Sequence, residues 1–148
     1  MIEKVLTKDH RNSQYHIIKP IVLLLNNLNG TTIFSHKFDP EFLVDTQLFG
    51  GGLTAILQFF NELFKTENTV DVVKINDYSC IKIRIQNMNL FYVFIGNENQ
   101  GYEQLVSLII NLNKDNIWNL ITPATIKFLQ LPDSLSSVLR EIIEFSFI

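Results

Sequence analysis

Cysteine is almost missing from this sequence. Cys80 is the single one in 148 residues, so neither an internal disulfide framework nor a cysteine-rich metal site is available. That fits a reducing compartment, and the expected location is the cytoplasm. Long apolar runs are missing as well. The longest, Leu90 to Ile95, falls far short of the roughly 20 residues that a membrane helix requires. The first residues, Met1 to Thr7, lack the basic and apolar regions of a signal peptide. Ile2 stands where a myristoylated chain carries glycine, and no CaaX box ends the sequence. No transmembrane segment is expected, and membrane association would come through partners. Positive charge is scarce: Lys and Arg number 12 against 15 Asp and Glu, a net charge of −3. Without a basic face to displace counterions, nucleic acid is not an expected partner.

What is present is apolar. Hydrophobic residues make up 47% and charged residues 18%, which excludes general disorder and supplies a core for one domain. Residues 1–16 are mostly polar and read as a tail or lead-in, with a single domain over 17–148. Ile17 to Asn26 is rich in Ile, Val and Leu. Asn29-Gly30 then separates it from Thr31 to Phe38, the pattern of a β-hairpin. Asp39-Pro40 breaks the second strand, and Asp45 or Thr46 can cap a helix. Its apolar stripe, Leu48, Phe49, Leu53, Ile56, Leu57, Phe60 and Phe64, is expected to face a sheet. Thr66-Glu67-Asn68 ends this helix.

Three strands follow: Val70 to Ile75, Cys80 to Gln86 and Leu90 to Ile95. In the second, Ile81, Ile83 and Ile85 point inward while Lys82, Arg84 and Gln86 point outward. The third is apolar on both faces, which places it centrally in the sheet or at a subunit interface. Leu105, Leu108, Ile109 and Leu112 mark a helix extended through Ile117, Trp118 and Ile121, stopped by Thr122-Pro123. A final helix follows Leu131-Pro132, capped by Asp133 or Ser134, with Leu135, Val138, Leu139, Ile142 and Phe145 on one stripe. The fold class is therefore α+β, with a five-stranded antiparallel sheet and element order β-β-α-β-β-β-α-α.

Catalytic constellations are lacking. His10, His16 and His36 are scattered, and no His/Cys/Asp/Glu cluster has metal-ligand spacing. Cys80 has no histidine near it in sequence to make it a thiolate. Ser35, His36 and Asp39 name the residue types of a triad, but neighbours on a strand point to opposite faces. Glu98 with Glu103, and Glu141 with Glu144, read as solvated surface pairs. No catalytic residue, cofactor or metal is assigned. Gly50-Gly51-Gly52 opens a helix without the spacing of a phosphate-binding loop. Three glycines there cost helix stability, so they mark close approach to the sheet or to another subunit. Twelve phenylalanines either fill the core or form an apolar patch for a partner. The interface candidates are Gly50, Gly51, Gly52, Phe91, Tyr92, Phe94, Phe145 and Phe147.

The segment Ile21-Val22-Leu23-Leu24-Leu25-Asn26, with Asn29-Gly30 and Ile33-Phe34-Ser35, resembles the first hairpin of the longin and roadblock domains. Leu53-Thr54-Ala55-Ile56 after small residues resembles the start of their first helix. The resemblance covers about Ile17 to Ile121. The longin version is favoured, since it ends in two helices and residues 1–16 lack the apolar stripe of a roadblock lead-in helix. Such a resemblance implies a non-enzymatic scaffold that pairs into homo- or heterodimers. It further implies engagement of a small GTPase or a membrane-trafficking complex such as vesicle adaptors. The alternative is a small-molecule sensing domain of PAS or GAF type, which needs polar groups converging on a cavity between helix and sheet. The apolar stripes weigh against that alternative.

Overall fold

The computed structural model describes residues 18–66, 69–114, 116–121 and 131–147. The expected lead-in over 1–16, the Thr122-Pro123 stop and the Glu67-Asn68 helix end lie outside them. The first hairpin forms where Asn29-Gly30 places it. Gly30 adopts φ 96°, a conformation that a side chain disfavours, between β1 (Lys19–Asn27) and β2 (Thr32–Lys37). The later turns also rely on positive φ, at Asn76 (54°) and Gln86 (53°). They are tighter than the sequence suggests. Tyr78 and Ser79 already belong to β4 (Tyr78–Ile85), and Met88 and Asn89 to β5 (Met88–Ile95); β3 is Val70–Ile75.

The five strands lie in the order β2-β1-β5-β4-β3, with every neighbouring pair antiparallel. Strand β5 is therefore central, which explains its apolar residues on both faces. Three long helices accompany the sheet: α1 (Thr46–Phe64), α2 (Glu98–Lys114) and α3 (Asp133–Ser146). Residues 118–121 are helical as well, but a turn with Asn116 at φ 55° separates them from α2, so the helix expected to continue through Ile117, Trp118 and Ile121 is interrupted. The fold class read from the element order is the one observed. Asp45 caps α1 by accepting the N–H groups of Gln47 and Leu48 at 2.9 and 3.2 Å. Lys65 closes the helix in the left-handed region, its N–H bonded to the Asn61 and Glu62 carbonyls. Helix α3 differs from the sequence reading. Pro132 occupies its N-cap without a side-chain bond, and Asp133 lies inside the first turn.

The sheet is covered on both faces. Leu23, Leu25, Ile81, Ile83, Leu90, Tyr92 and Phe94 meet Leu105, Leu108 and Leu112 of α2 and Leu139, Ile142 and Ile143 of α3. Ile117, Trp118 and Ile121 fill the space beside them. On the opposite face Ile21, Val22, Leu24, Cys80, Phe91 and Val93 meet Leu53 of α1, with Phe49 and Leu57 half-buried. In α3, Val138 and Phe145 of the expected stripe are exposed, and Ile143 is buried in their stead.

Glycines set two close approaches. A Cβ at Gly101 would fall within the ring of buried Phe94, and one at Gly50 would strike Thr32 Oγ1 and Asn26. At Gly52 it would meet nothing within 4 Å. Gly50→Ala and Gly101→Ala are each expected to destabilise the fold by about 1–3 kcal/mol through overpacking. Gly52→Ala should stabilise it by about 0.5–1 kcal/mol, because alanine is the better helix former. Urea denaturation of the three variants checks the opposite signs within one glycine triplet.

Candidate functional site

The seat of α1 is polar. Asn26, Thr32 and Thr54 are all buried there. Thr32 Oγ1 lies 2.8 Å from Asn26 Oδ1 and 3.2 Å from the Thr46 carbonyl, and Asn26 Nδ2 donates to Thr54 Oγ1 at 3.3 Å. Gln47 grips the backbone of Thr32 at both groups, accepting its N–H at 3.1 Å and donating to its carbonyl. Gly50 leaves room for this knot. Gly51 makes an ordinary contact near Gly30, and Gly52 faces open space. Close packing against the sheet thus accounts for Gly50, while Gly52 has no neighbour to accommodate.

A helix fixed at this end buries only a narrow strip. Of the stripe expected to face the sheet, Leu53 is buried and Phe49 and Leu57 are half-buried. Leu48, Ile56, Phe60 and Phe64 are exposed, as are Phe59 and Leu63. Apolar residues run around most of the helix, and the sheet beneath meets one arc of it. The outward side chains form a row: Phe59 and Phe60 lie edge to face at 5.6 Å, and Phe60 stacks with Phe64 at 6.2 Å. Leu43 and Val44 in the loop before α1 are exposed too. Exposed apolar surface of this kind is a candidate contact site.

The sheet edges are unequal. The outer edge of β2 is occupied where Gln47 holds Thr32 and where the Leu131 N–H reaches the Ile33 carbonyl at 3.3 Å. Edge strand β3 carries exposed Val70, Val72 and Ile75, and pairs with β4 on one side. Unpaired N–H and C=O groups along such an edge are a template for another strand.

Two clefts separate α1 from β3 and β4. One, of about 540 Å³, is lined chiefly by apolar groups that include Leu43, Phe49, Leu53, Val73, Ile75 and Val93. The other, of about 480 Å³, is polar and holds Gln58, Asn61, Glu62, Lys82, Arg84 and Asn89. Here the structure corrects the reading of Lys82 as outward. It is 6% exposed, and its Nζ lies 3.0 Å from Asp71 Oδ2 on the neighbouring strand. Strict alternation places it opposite Ile81, but that second face is also covered. Asn89 Oδ1 is buried without a hydrogen-bond donor. A buried acceptor left in that state costs about 1–3 kcal/mol. Polar groups thus converge between helix and sheet, a feature the apolar stripes of the sequence did not reveal.

The remaining candidates are scattered through the fold. Phe91, Tyr92 and Phe94 are fully buried on the central strand and present no surface in this chain. Phe147 is half-buried against Phe38 and Tyr92, whereas Phe145 is 71% exposed. Ser35 and His36 pair with Leu24 and Leu23, so they lie on opposite faces. His36 sits edge-on to Phe38 at 4.7 Å, and burial holds its pKa below the ordinary value. His10 and His16 lie outside the described residues. Among the described residues no three His, Cys, Asp or Glu side chains are placed to hold a metal ion. No described helix is long and apolar enough to cross a membrane.

No protein-family model matches the chain, and no curated protein matches it. Solved structures of similar fold do. The chain is similar to a roadblock/LC7 domain from Streptomyces avermitilis at 14% identity and a TM-score of 0.45, over 62% of this chain and 82% of that one. It is similar to Myxococcus xanthus MglB at 17% identity and a TM-score of 0.46, over 66% and 71%. An MglB with a tetrameric arrangement shares 10% identity at a TM-score of 0.48, over 98% and 91%.

Burial beneath α1 pushes the Cys80 thiol up to about 12, and burial raises the Tyr92 hydroxyl in the same direction. In the unfolded chain a thiol ionises from about pH 8.5. The unfolded state therefore sheds protons that the folded state keeps, so stability is fully present below that pH and falls as pH rises. The urea midpoint is expected to stay level to about pH 8 and to decline between about 9 and 11. Cys80→Ala should show a shallower decline over that range, and an unchanged slope would count against this burial.

Proposed function

We propose that this chain is a non-enzymatic interaction module that pairs through the outer face of α1 and the adjoining edge of β3. The observation that carries the reading is the exposed row Phe59, Phe60, Leu63 and Phe64. A twofold arrangement sets this row against its own copy, so each side chain finds an apolar partner without a second evolved surface. Burying one such side chain contributes about 1.5–3 kcal/mol, and several together outweigh the entropy lost on association. The β3 edge would add backbone hydrogen bonds to the pairing.

On this reading residues 17–148 act as one domain, and Phe145 on α3 offers a second, smaller contact. The longin and roadblock resemblance supports a further assignment: a cytoplasmic protein whose pair engages a small GTPase or a trafficking-type complex.

Light scattering over a concentration series tests the pairing. Twice the monomer mass is expected for the wild type. Phe60→Glu places a charge in the middle of the row and should shift the mass to monomer with unchanged circular dichroism. A wild-type monomer persisting at about 0.5 mM, a weak-affinity limit, would count decisively against the proposal.

A further inference from the structure

Helix α1 carries an apolar arc that outruns its own sheet. Leu53, Leu57, Phe60 and Phe64 are spaced by four, three and four residues, so they share one face of the helix. Leu53 is buried against the sheet and Leu57 is half-buried there, yet Phe60 is 47% exposed and Phe64 67%. These two rings are turned as the buried pair is turned, past the point where the sheet covers them. The other end of the helix has the opposite defect. Beside Phe49 and Leu53 lies the apolar cleft of about 540 Å³, floored by Val73, Cys80 and Val93, with Ile75 and Tyr78 exposed along it. Lys19 and Asp39 at its rim answer each other at 3.6 Å. Among the described residues, no buried polar atom without a partner belongs to its lining, so it offers a polar ligand nothing to orient on.

We propose that Phe60 and Phe64 of a second copy of this chain fill this cleft. The inference rests on the pairing through α1 and β3 and names the contact that the pairing makes. Topology supplies the match. The last turns of α1 share the polar cleft with Lys82 and Arg84, which stand across from Asp71 and Thr69 at the first end of β3. The first turns share the apolar cleft with Val73 and Ile75 at the last end of β3. Rings and cleft therefore lie at opposite ends of one edge strand, both on the sheet face that α1 covers. A twofold axis that joins two β3 strands runs them antiparallel and keeps both copies of α1 on one face of the joined sheet. The first end of one β3 then lies beside the last end of the other. This sets the two rings of each chain over the cleft of its copy. A cavity of about 150 Å³ takes one benzene, so the cleft has room for both rings. Symmetry forms the contact twice, and Phe59 and Leu63 are left to meet the paired helix.

The test joins thiols placed at the two sides of the contact. Full-length chains carrying Phe64→Cys and others carrying Ile75→Cys, all with Cys80→Ala, are mixed in equal amounts, left to exchange and treated with a short bismaleimide. Phe64 and Ile75 are both exposed, so folding is not at stake at either position. The mixture is expected to give covalent dimers with one chain of each kind. Phe64→Cys alone should give far fewer, because the two copies of that side chain lie at opposite ends of the pair. Phe64→Ala should raise the dimer Kd about a hundredfold, since symmetry removes two rings, each worth about tenfold or more. Light scattering reads the pairing separately. A dimer mass without cross-linking in the mixture overturns the proposal and leaves the pairing standing, with the cleft free for another occupant. Phe64→Cys linking to itself as readily as to Ile75→Cys overturns it too, because ring would then face ring. A monomer at every concentration overturns both readings.

Discussion

Helix α1 meets the sheet where a hydrogen atom stands in place of a side chain. At Gly50 the backbone comes down onto Thr32 and Asn26, and the buried polar groups around it answer one another rather than water. Such a contact is directional in a way that apolar packing is not. Leu53 and Leu57 would tolerate small rotations of the helix, whereas the bonds among Asn26, Thr32, Gln47 and Thr54 would not. This one seat therefore decides which arc of α1 faces inward. The exposed phenylalanine row, the apolar cleft by its first turns and the polar cleft by its last turns all follow from it.

The elements were largely legible in the sequence, because turn chemistry and alternation act locally. Asn29-Gly30 placed the first hairpin, and the apolar run from Leu90 to Ile95 marked the central strand. The orientation of α1 was not legible. Apolar residues at 48, 49, 53, 56, 57, 59, 60, 63 and 64 surround the helix so broadly that periodicity cannot choose an arc. Small and polar residues made the choice, and a hydrophobic stripe ignores them. Lys82 was misread for a related reason: alternation says that two faces differ, but not that both are covered. The polar cleft was invisible because residues as distant as Leu28, Glu62 and Asn89 meet through topology alone.

Eleven of the twelve phenylalanines lie among the described residues, and they divide. Phe34, Phe91 and Phe94 lie in the core; Phe38, Phe42, Phe49 and Phe147 are half-buried; Phe59, Phe60, Phe64 and Phe145 are exposed. Core and surface explanations each account for part of the excess. Among the described residues, three of the four exposed rings fall on one helix, and it is this clustering rather than the total that supports the proposed pairing.

The grip of Gln47 on Thr32 has a consequence for growth. A sheet with two free edges can add strands at both and extend without limit, as fibrils do. In this chain the β2 edge is plugged at Thr32 by a side-chain amide and at Ile33 by the Leu131 backbone. Under the proposed pairing, two β3 strands would join at the other end of the sheet and consume both open edges. A side-chain amide and a backbone N–H together thus guard the start of this edge against strand addition.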